Sequence, residues 1–274
     1  MIFSPDQNFI FVKTVSTGGS QLELTLAPYL FDNAVQTLDT VGGQYPEVRN
    51  RYRRVNRLPM REYIAVSLEL MRYSPERVVA LKGIATSLVS RGGPTTSALA
   101  IEKSHMSASE IRDLVGVQTF QEAFKVSIVR NPYNRIASAF WHSYRTKYGL
   151  RTLSRLELQK AFFNWLSENT DQGRMSKRIL TDTPHEDGNK ILVDQVIRYE
   201  NLEASLDIFA ECLKVDVDIL TKRFQSLPAR NNKRPKNISV TDIYSSDSLV
   251  LVRQLAAWEF DLFGYDPSAL VDDV

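Results

Sequence analysis

A short apolar run that leads into a glycine turn constrains the fold of this chain most strongly. Residues 9–12 (FIFV) are apolar and β-prone, which predicts a buried strand. The following turn, residues 16–20 (STGGS), is polar and contains two glycines, and an apolar stripe begins at Leu22. Pro28 should bend or end the helix that this stripe predicts. The order strand, glycine turn, helix is typical of phosphate sites, because backbone amides can approach the anion and the helix N-terminus attracts it.

This turn is not a Walker A loop. That loop needs Gly-x-x-x-x-Gly-Lys-Ser/Thr, and here no lysine follows Gly19. The missing lysine and the lack of a clear magnesium-binding carboxylate argue against a kinase. Taken alone, the stretch fits an ordinary strand-to-helix turn as well as it fits an anion site.

A second stretch favours the anion site. Residues 124–129 (FKVSIV) predict another buried strand, and Arg130 stands at its carboxyl end. Asn131-Pro132 opens a helix that runs on through Ser138. Ligands of open α/β sheets bind outside the carboxyl ends of the strands. Arginine offers a planar pair of donors that suits a phosphate, and serine offers one more donor.

Together the two stretches resemble the sulfotransferases that use 3′-phosphoadenosine 5′-phosphosulfate (PAPS) as donor. The resemblance is closest to the carbohydrate and Golgi-type branch, with its bacterial and viral relatives. The second motif of that family reads roughly V-R-[ND]-P-x-[DN]-R-x-x-S, and residues 129–138 (VRNPYNRIAS) match it. The resemblance implies that Arg130 and Ser138 bind the 3′-phosphate of the nucleotide.

The first family motif, P-K-T-[AG]-[GS]-[TS]-[ST], matches less closely. Aligning the glycine turn puts Ser16 at the position of the family's lysine, with Glu23 in place. In the family that lysine contacts the bridging oxygen of the phosphosulfate and assists the leaving group. Lys13 lies just upstream, near the end of the first strand, and we expect it to substitute for the missing lysine. In a shifted register, Lys13-Thr14 would be the family's Lys-Thr pair.

His105 is the candidate general base. It precedes a predicted helix whose start is marked by a capping box, Ser107 with Glu110. Relatives carry a histidine before a short helix upstream of the arginine motif, and in heparan-type relatives it takes the acceptor proton. Histidine titrates near pH ~6.5, close to working pH. By pattern alone, a lone histidine is more often structural or exposed than catalytic. Other candidate bases are Glu102, Glu110, His142 and His185.

Three further segments have two interpretations each. Five arginines between Arg49 and Arg57 fit either a solvated face or a site for an acidic acceptor or donor phosphates. Residues 83–98 predict a loop over the site or a plain surface loop. The basic loop at 227–237 resembles a segment that folds over the nucleotide in relatives, which makes Lys233 and Arg234 candidate donor contacts. The second interpretation is an exposed loop without a ligand, which commonly has the same composition.

Composition narrows the class of protein. A hydrophobic content of 43% with 24% charged residues is ordinary for a soluble globular chain, and the net charge of +2 favours neither nucleic acid nor membrane as a partner. The single cysteine, Cys212, predicts a buried structural thiol. No stretch of the sequence is long and apolar enough to span a bilayer, and the N-terminus does not resemble a signal peptide. We therefore expect a cytoplasmic protein. No zinc or calcium spacing occurs, so we expect no metal.

The remaining pattern completes an alternation of strands and helices. Helices are predicted over residues 61–73, 132–147, 155–168 and 242–263, and strands over 78–81 and 191–199. The aromatic and leucine set of the 155–168 helix predicts a core face. The string Arg-Tyr-Glu-Asn-Leu at 198–202 also resembles the family, and we interpret it as structural.

These observations predict one domain over residues 1–274, with a P-loop-like three-layer α/β fold and a central, mainly parallel sheet flanked by helices. The resemblance implies a PAPS-dependent sulfotransferase that acts on a hydroxyl, of a carbohydrate or glycan. The alternative is a non-catalytic PAP- or PAPS-binding protein, which Ser16 at the lysine position favours. The expected donor contacts are Ser16, Thr17, Gly18, Gly19, Ser20, Arg130, Ser138, Lys233 and Arg234, with His105 and Lys13 as catalytic residues.

Overall fold

The computed structural model describes residues 1–31, 34–36, 105–148, 153–181, 190–227, 234–235 and 237–270. Several predictions concern residues outside these ranges. They are the helix at 61–73, the strand at 78–81, the loop at 83–98, the arginine run at 49–57, and the candidates Glu102, His185 and Lys233.

A five-stranded sheet forms the centre of the described structure. Its strands are β1 (Ile2–Ser4), β2 (Phe9–Val12), β3 (Val35–Gln36), β4 (Phe124–Val129) and β5 (Gln195–Arg198). They lie in the order β3-β1-β2-β4-β5. The pairs β2–β4 and β4–β5 are parallel, whereas β1 runs antiparallel to both β2 and β3. Four of the five strands therefore point the same way, which confirms the predicted α/β class with a mostly parallel sheet.

Three of the predicted strands lie in the described ranges, and they were found with one change of length. The two strands at 9–12 and 124–129 have the predicted bounds. The third was predicted over 191–199, but β5 covers only Gln195–Arg198. Before that point Ile191 forms an antiparallel bridge with Thr181, so the chain joins β4 only from residue 195. The strands β1 and β3 were not predicted, because two or three residues are too few for periodicity to appear.

Helices connect and cover the strands. In the described ranges they are α1 (Gly19–Leu26), α2 (Ala108–Val115), α3 (Val117–Glu122), α4 (Pro132–Tyr148), α5 (Arg155–Glu168), α6 (Met175–Leu180), α7 (Leu206–Leu213), α8 (Val217–Ser226), α9 (Val240–Ile243), α10 (Ser246–Leu255) and α11 (Ala257–Phe263). Pro28 lies in a 3₁₀ turn directly after α1, as predicted. Ser107 and Glu110 form the predicted capping box of α2.

The prediction of a single helix over residues 242–263 was wrong. The chain forms α9, α10 and α11 instead. The first piece ends at Ile243 because Tyr244 and Ser245 have extended backbone. Ser245 then caps α10, whose N3 residue Ser248 bonds back to it. Ala256 breaks the second piece with non-helical dihedral angles. The apolar period continues across both breaks, and so the sequence pattern hides them.

Both faces of the sheet are covered. Phe9 and Phe11 of β2 point to one face, where they pack with residues of α1, α7 and α8. Ile10 and Val12 point to the other face, where they pack with residues of α2, α3 and α6. All four are fully buried, which fits an interior strand with side chains alternating between two helical layers.

A third apolar cluster joins helices α4, α5, α9, α10 and α11. The predicted core face of α5 is present at Leu158, Phe162 and Leu166, but Leu156 is 61% exposed, so its assignment to the core was wrong. Leu156 lies two residues before Leu158, which places it on the opposite side of the helix. Cys212 of α7 is half-buried rather than buried, and partial burial raises the pKa of its thiol to about 11.

Candidate functional site

Three parallel strands end at one edge of the sheet, and each is followed by a polar residue. Lys13 follows β2, Arg130 follows β4 and Tyr199 follows β5. The two outer strands pair with β4 between them, so these three positions are neighbours although they lie far apart in sequence. The carboxyl edge of a parallel sheet is where ligands of α/β proteins bind. The predicted site residues therefore converge at the expected place.

The glycine turn between β2 and α1 contains two residues with positive φ, a feature that anion-binding turns share. Ser16 and Gly18 both have positive φ, at 59° and 73°. Gly18 is the N-cap of α1, and no side chain caps this helix. The first amides of a helix have no intrahelical acceptor, and turns that include left-handed residues can direct successive N–H groups toward one point. This turn can thus offer backbone donors to an anion.

The threonine hydroxyls of the turn point inward. Thr17 is almost fully buried, and its Oγ1 lies 2.8 Å from Oγ1 of Thr14 and donates to the carbonyl of Thr14 at 3.2 Å. Thr14 Oγ1 in turn donates to the carbonyl of Ile128 on β4. These side chains fix the turn against the neighbouring strand. Of the hydrogen-bond donors of Thr17, the backbone amide is therefore the one that can serve a ligand. Ser16 and Gly18 are half-buried, and Ser20 is buried.

Lys13 lies beneath the turn. Its side chain is 2% exposed, and its Nζ lies 2.6 Å from Oε2 of Glu23 on α1. The other carboxylate oxygen of Glu23 lies 2.6 Å from the α-amino group of Met1. A Cβ atom at Gly19 would come within 2.8 Å of Cγ of Lys13, so the lysine stem passes directly under the first residue of α1. Only glycine leaves room there for the lysine.

Arg130 joins the end of β4 to the turn. Its Nη1 donates to the carbonyl oxygen of Ser16 at 3.0 Å, and its guanidinium lies 4.5 Å from the centre of the Tyr199 ring. Burial lowers the pKa of Arg130, and the positive charge of Arg234 lowers it further, whereas Tyr199 and Glu200 oppose these effects. The proximity of Arg130 and Arg234 brings two like charges to one place, as anion sites require.

Tyr199 packs against both halves of the site. A Cβ atom at Gly18 would lie 2.5 Å from Cε2 of Tyr199, so the ring touches the glycine turn while its face meets Arg130. The sequence interpretation of residues 198–202 as structural was incomplete, because this string supports the candidate anion site. The sequence placed this string after a predicted strand, but the pairing of that strand with β4 is a finding of the structure.

Glu200 contacts the start of the helix that follows Arg130. Its Oε1 accepts from the backbone N–H of Asn131 at 2.7 Å, and its Oε2 accepts from the Tyr265 hydroxyl at 2.9 Å. The side chain of Asn131, which directly precedes α4, accepts from the N–H of Tyr133 and so caps the start of the helix. Sequence reasoning did not identify Glu200 as a residue of this site.

His105 contacts the backbone of Lys13 at the end of β2. Its Nδ1 lies 3.3 Å from the carbonyl oxygen of Lys13. A carbonyl only accepts, so Nδ1 carries the proton and Nε2 keeps its lone pair. Burial lowers the pKa of His105 to about 4, and the positive charge of Lys13 contributes to the decrease. The imidazole is therefore neutral at neutral pH and can accept a proton at Nε2.

The other candidates occupy different surroundings. Ser138 is half-buried on α4, about two turns from its start, and its hydroxyl makes no hydrogen bond to another described residue. Glu110 caps α2 by accepting from the N–H and hydroxyl of Ser107. His142 is exposed on the same helix as Ser138. Among the predicted bases that the structure describes, His105 is the one with an established contact to Lys13, three residues before the glycine turn.

Comparison with known proteins adds no further assignment. No protein-family model, curated protein or solved structure matches this chain. Among the described residues, no helix has the length and apolar character that crossing a bilayer requires.

Proposed function

We propose that this protein is a PAPS-dependent sulfotransferase with a P-loop-like fold that acts on a hydroxyl group. One observation carries the proposal: Arg130 of the second motif donates to the carbonyl of Ser16 in the glycine turn at 3.0 Å. The two stretches that resemble the family are 114 residues apart in sequence, and they lie together at the carboxyl edge of the sheet. The choice of a carbohydrate or glycan as acceptor rests on the resemblance.

The donor would bind through its two anionic ends. The amides of residues 17–20 and the N-terminus of α1 suit the 5′-phosphosulfate, because oriented backbone donors stabilise an anion without rearrangement. Arg130 suits the 3′-phosphate, with Ser138 as a second donor along α4. Arg234 adds positive charge close to Arg130. Lys233 remains a predicted contact outside the described residues.

Transfer requires one proton acceptor and one leaving group. An oxygen of the acceptor attacks sulfur, the bond from sulfur to the bridging phosphate oxygen breaks, and a sulfate ester and 3′-phosphoadenosine 5′-phosphate (PAP) form. Nε2 of His105 takes the hydroxyl proton, with the ring oriented by its Nδ1 contact to Lys13. A bound anionic donor favours the charged imidazolium, so it raises the basicity of His105 when it is needed.

Lys13 is the candidate that assists the leaving group. Its aliphatic stem passes beneath Gly19, at the N-terminus of α1, where the phosphosulfate would bind. Its ammonium contacts Glu23 in this structure, so direct contact with the donor requires the lysine to leave that carboxylate.

The same ion pair favours a second function. With Ser16 at the family's lysine position and Lys13 bound to Glu23, the chain also fits a non-catalytic protein that binds PAP or PAPS. The two functions differ in turnover. Substitution Ser16→Lys separates them: activity that appears only in this variant would identify the wild type as a binding protein.

Calorimetric titration with PAP tests both functions. We expect wild-type protein to bind PAP, Arg130→Ala to lose most of the affinity, and Arg155→Ala to bind as the wild type does. Arg155 is a suitable control, because it is exposed and pairs with Asp242 at 3.7 Å. A wild type that binds no PAP would contradict both functions. Binding followed by transfer from labelled PAPS to a glycan acceptor would establish the first.

A further inference from the structure

Glu200 places a carboxylate at an edge of the sheet where positive groups gather. Arg130 precedes Asn131 directly in sequence, and Glu200 accepts the Asn131 N–H at 2.7 Å. Arg234 lies close enough to act on Arg130 by charge. A negative side chain beside a site for anionic ligands weakens that site, so its presence calls for a functional explanation.

The carboxylate occupies a position that an external anion could take. Asn131 lies at the N-terminus of α4, a helix of 17 residues, where free amides and the helix dipole attract negative charge. Glu200 is exposed, yet both of its oxygens are held, one by Asn131 and the other by the Tyr265 hydroxyl at 2.9 Å. The group is therefore fixed at the helix end despite its contact with solvent.

We propose that Glu200 determines the ligand specificity of the site: it fills the N-terminus of α4 as an internal anion and thereby lowers the affinity for anions at Arg130. The inference rests on the proposed function. The part of the ligand that lies against Asn131 is then uncharged, such as a sugar or base. The phosphate groups are directed to the glycine turn and to the Arg130 and Ser138 side of α4.

A purely structural role makes a different prediction. If Glu200 only joined α4 to Tyr265, neutralising it would destabilise the fold and leave anion affinity unchanged or weaker. If Glu200 competes with ligand charge, neutralising it tightens binding. Substitution Glu200→Gln suits the comparison, because the amide oxygen can still accept the Asn131 N–H while the negative charge is removed.

The experiment measures PAP affinity by calorimetry at low and high salt for wild type, Glu200→Gln and Glu203→Gln. We expect Glu200→Gln to bind PAP about threefold to tenfold more tightly at low salt, with a smaller gain at high salt, because the effect is electrostatic. Glu203→Gln removes the same charge from an exposed residue that contacts Gln225, and it should bind as the wild type does.

Unchanged or weaker binding by folded Glu200→Gln, or an equal gain in Glu203→Gln, would overturn the inference while the proposed function stands. Titration with inorganic phosphate tests the inference without the nucleotide. If the wild type binds no PAP, a tighter phosphate interaction in Glu200→Gln alone would support the inference although the proposed function fails. Equal or absent phosphate binding in both proteins would overturn it.

Discussion

The ammonium nitrogen of Lys13 lies 2.6 Å from Oε2 of Glu23, and neither side chain is more than 4% exposed. The pair connects the end of β2 to the second turn of α1, across the glycine turn that separates them. Because both groups are removed from water, each depends on the other for compensation of its charge. The ion pair therefore holds the end of β2 against α1 on both sides of the glycine turn.

Replacement of Lys13 by methionine should destabilise the protein by about 2–4 kcal/mol, because Glu23 is left as a buried carboxylate with fewer partners. The double variant Lys13→Met, Glu23→Gln should recover none of this loss, because it leaves the buried α-amino group of Met1 without its carboxylate partner. Urea unfolding of the three proteins measures both effects. A single variant as stable as the wild type would show that the pair is not buried in solution.

Substitution Gly18→Ala should destabilise the protein and weaken PAP binding. Gly18 has φ of 73°, and an added Cβ would lie 2.5 Å from Tyr199, so backbone strain and a clash act together. Gly116→Ala is the matched control, because Gly116 has φ of 90° but no atom within 4 Å of an added Cβ. We expect the control to lose about 1 kcal/mol and Gly18→Ala to lose more. Equal losses of unfolding free energy in Gly18→Ala and Gly116→Ala, measured by urea unfolding, would exclude the clash.

The buried histidine should make stability depend on acid pH. The pKa of His105 is lowered from 6.5 to about 4 in the folded state, so the unfolded chain binds a proton more readily between these values. Its contribution to stability is present above pH 6.5 and is lost as pH falls toward 4. The stability of the wild type should decrease over this window more than that of His105→Asn, whose side-chain amide can still donate to the Lys13 carbonyl.

The same variant tests the catalytic role of His105. His105→Asn keeps a donor for Lys13 but has no basic nitrogen, so we expect PAP binding to persist while sulfuryl transfer falls by about a hundredfold or more. Calorimetry and labelled-PAPS turnover measure the two properties separately. If His105→Asn transfers the sulfuryl group at the wild-type rate, another group must accept the proton of the acceptor hydroxyl.

The second arginine of the 129–138 motif has a structural role. Arg135 contacts Glu259 through Nε and Nη2 at 3.2 and 2.9 Å, and both side chains are buried. Burial raises the pKa of Glu259 and Arg135 opposes the increase. Arg135→Met should therefore cost about 3–5 kcal/mol. Arg155→Ala, which removes an exposed pair, should cost less than about 1 kcal/mol in the same unfolding experiment.

The parts of the fold that sequence could predict are those with local patterns. The strands at 9–12 and 124–129 were identified because each contains four apolar residues and ends before a clear turn signal. The start of α2 was identified because its capping box is a local hydrogen-bond pattern. By contrast, β1 is only three residues long, and its position beside β2 depends on pairing across a turn.

The candidate site was predicted in part for the same reason. The glycine turn and Arg130 could be identified because each stands directly after a predicted strand. Tyr199 and Glu200 could not be assigned to the site, since their contacts with Arg130 and Asn131 depend on the order of strands in the sheet. The ion pair of Lys13 likewise depends on how α1 lies over β2.

The distance in sequence between Ser16 and Arg130 also has a kinetic consequence. Their contact spans 114 residues, which makes it one of the non-local contacts that slow folding. The hairpin of β1 and β2 can form early, whereas the candidate site is complete only when β4 docks beside β2. During synthesis at about 5–20 residues per second, the glycine turn precedes its arginine by on the order of ten seconds. The contact between the glycine turn and Arg130 therefore forms only after β4 has been synthesised and has docked beside β2.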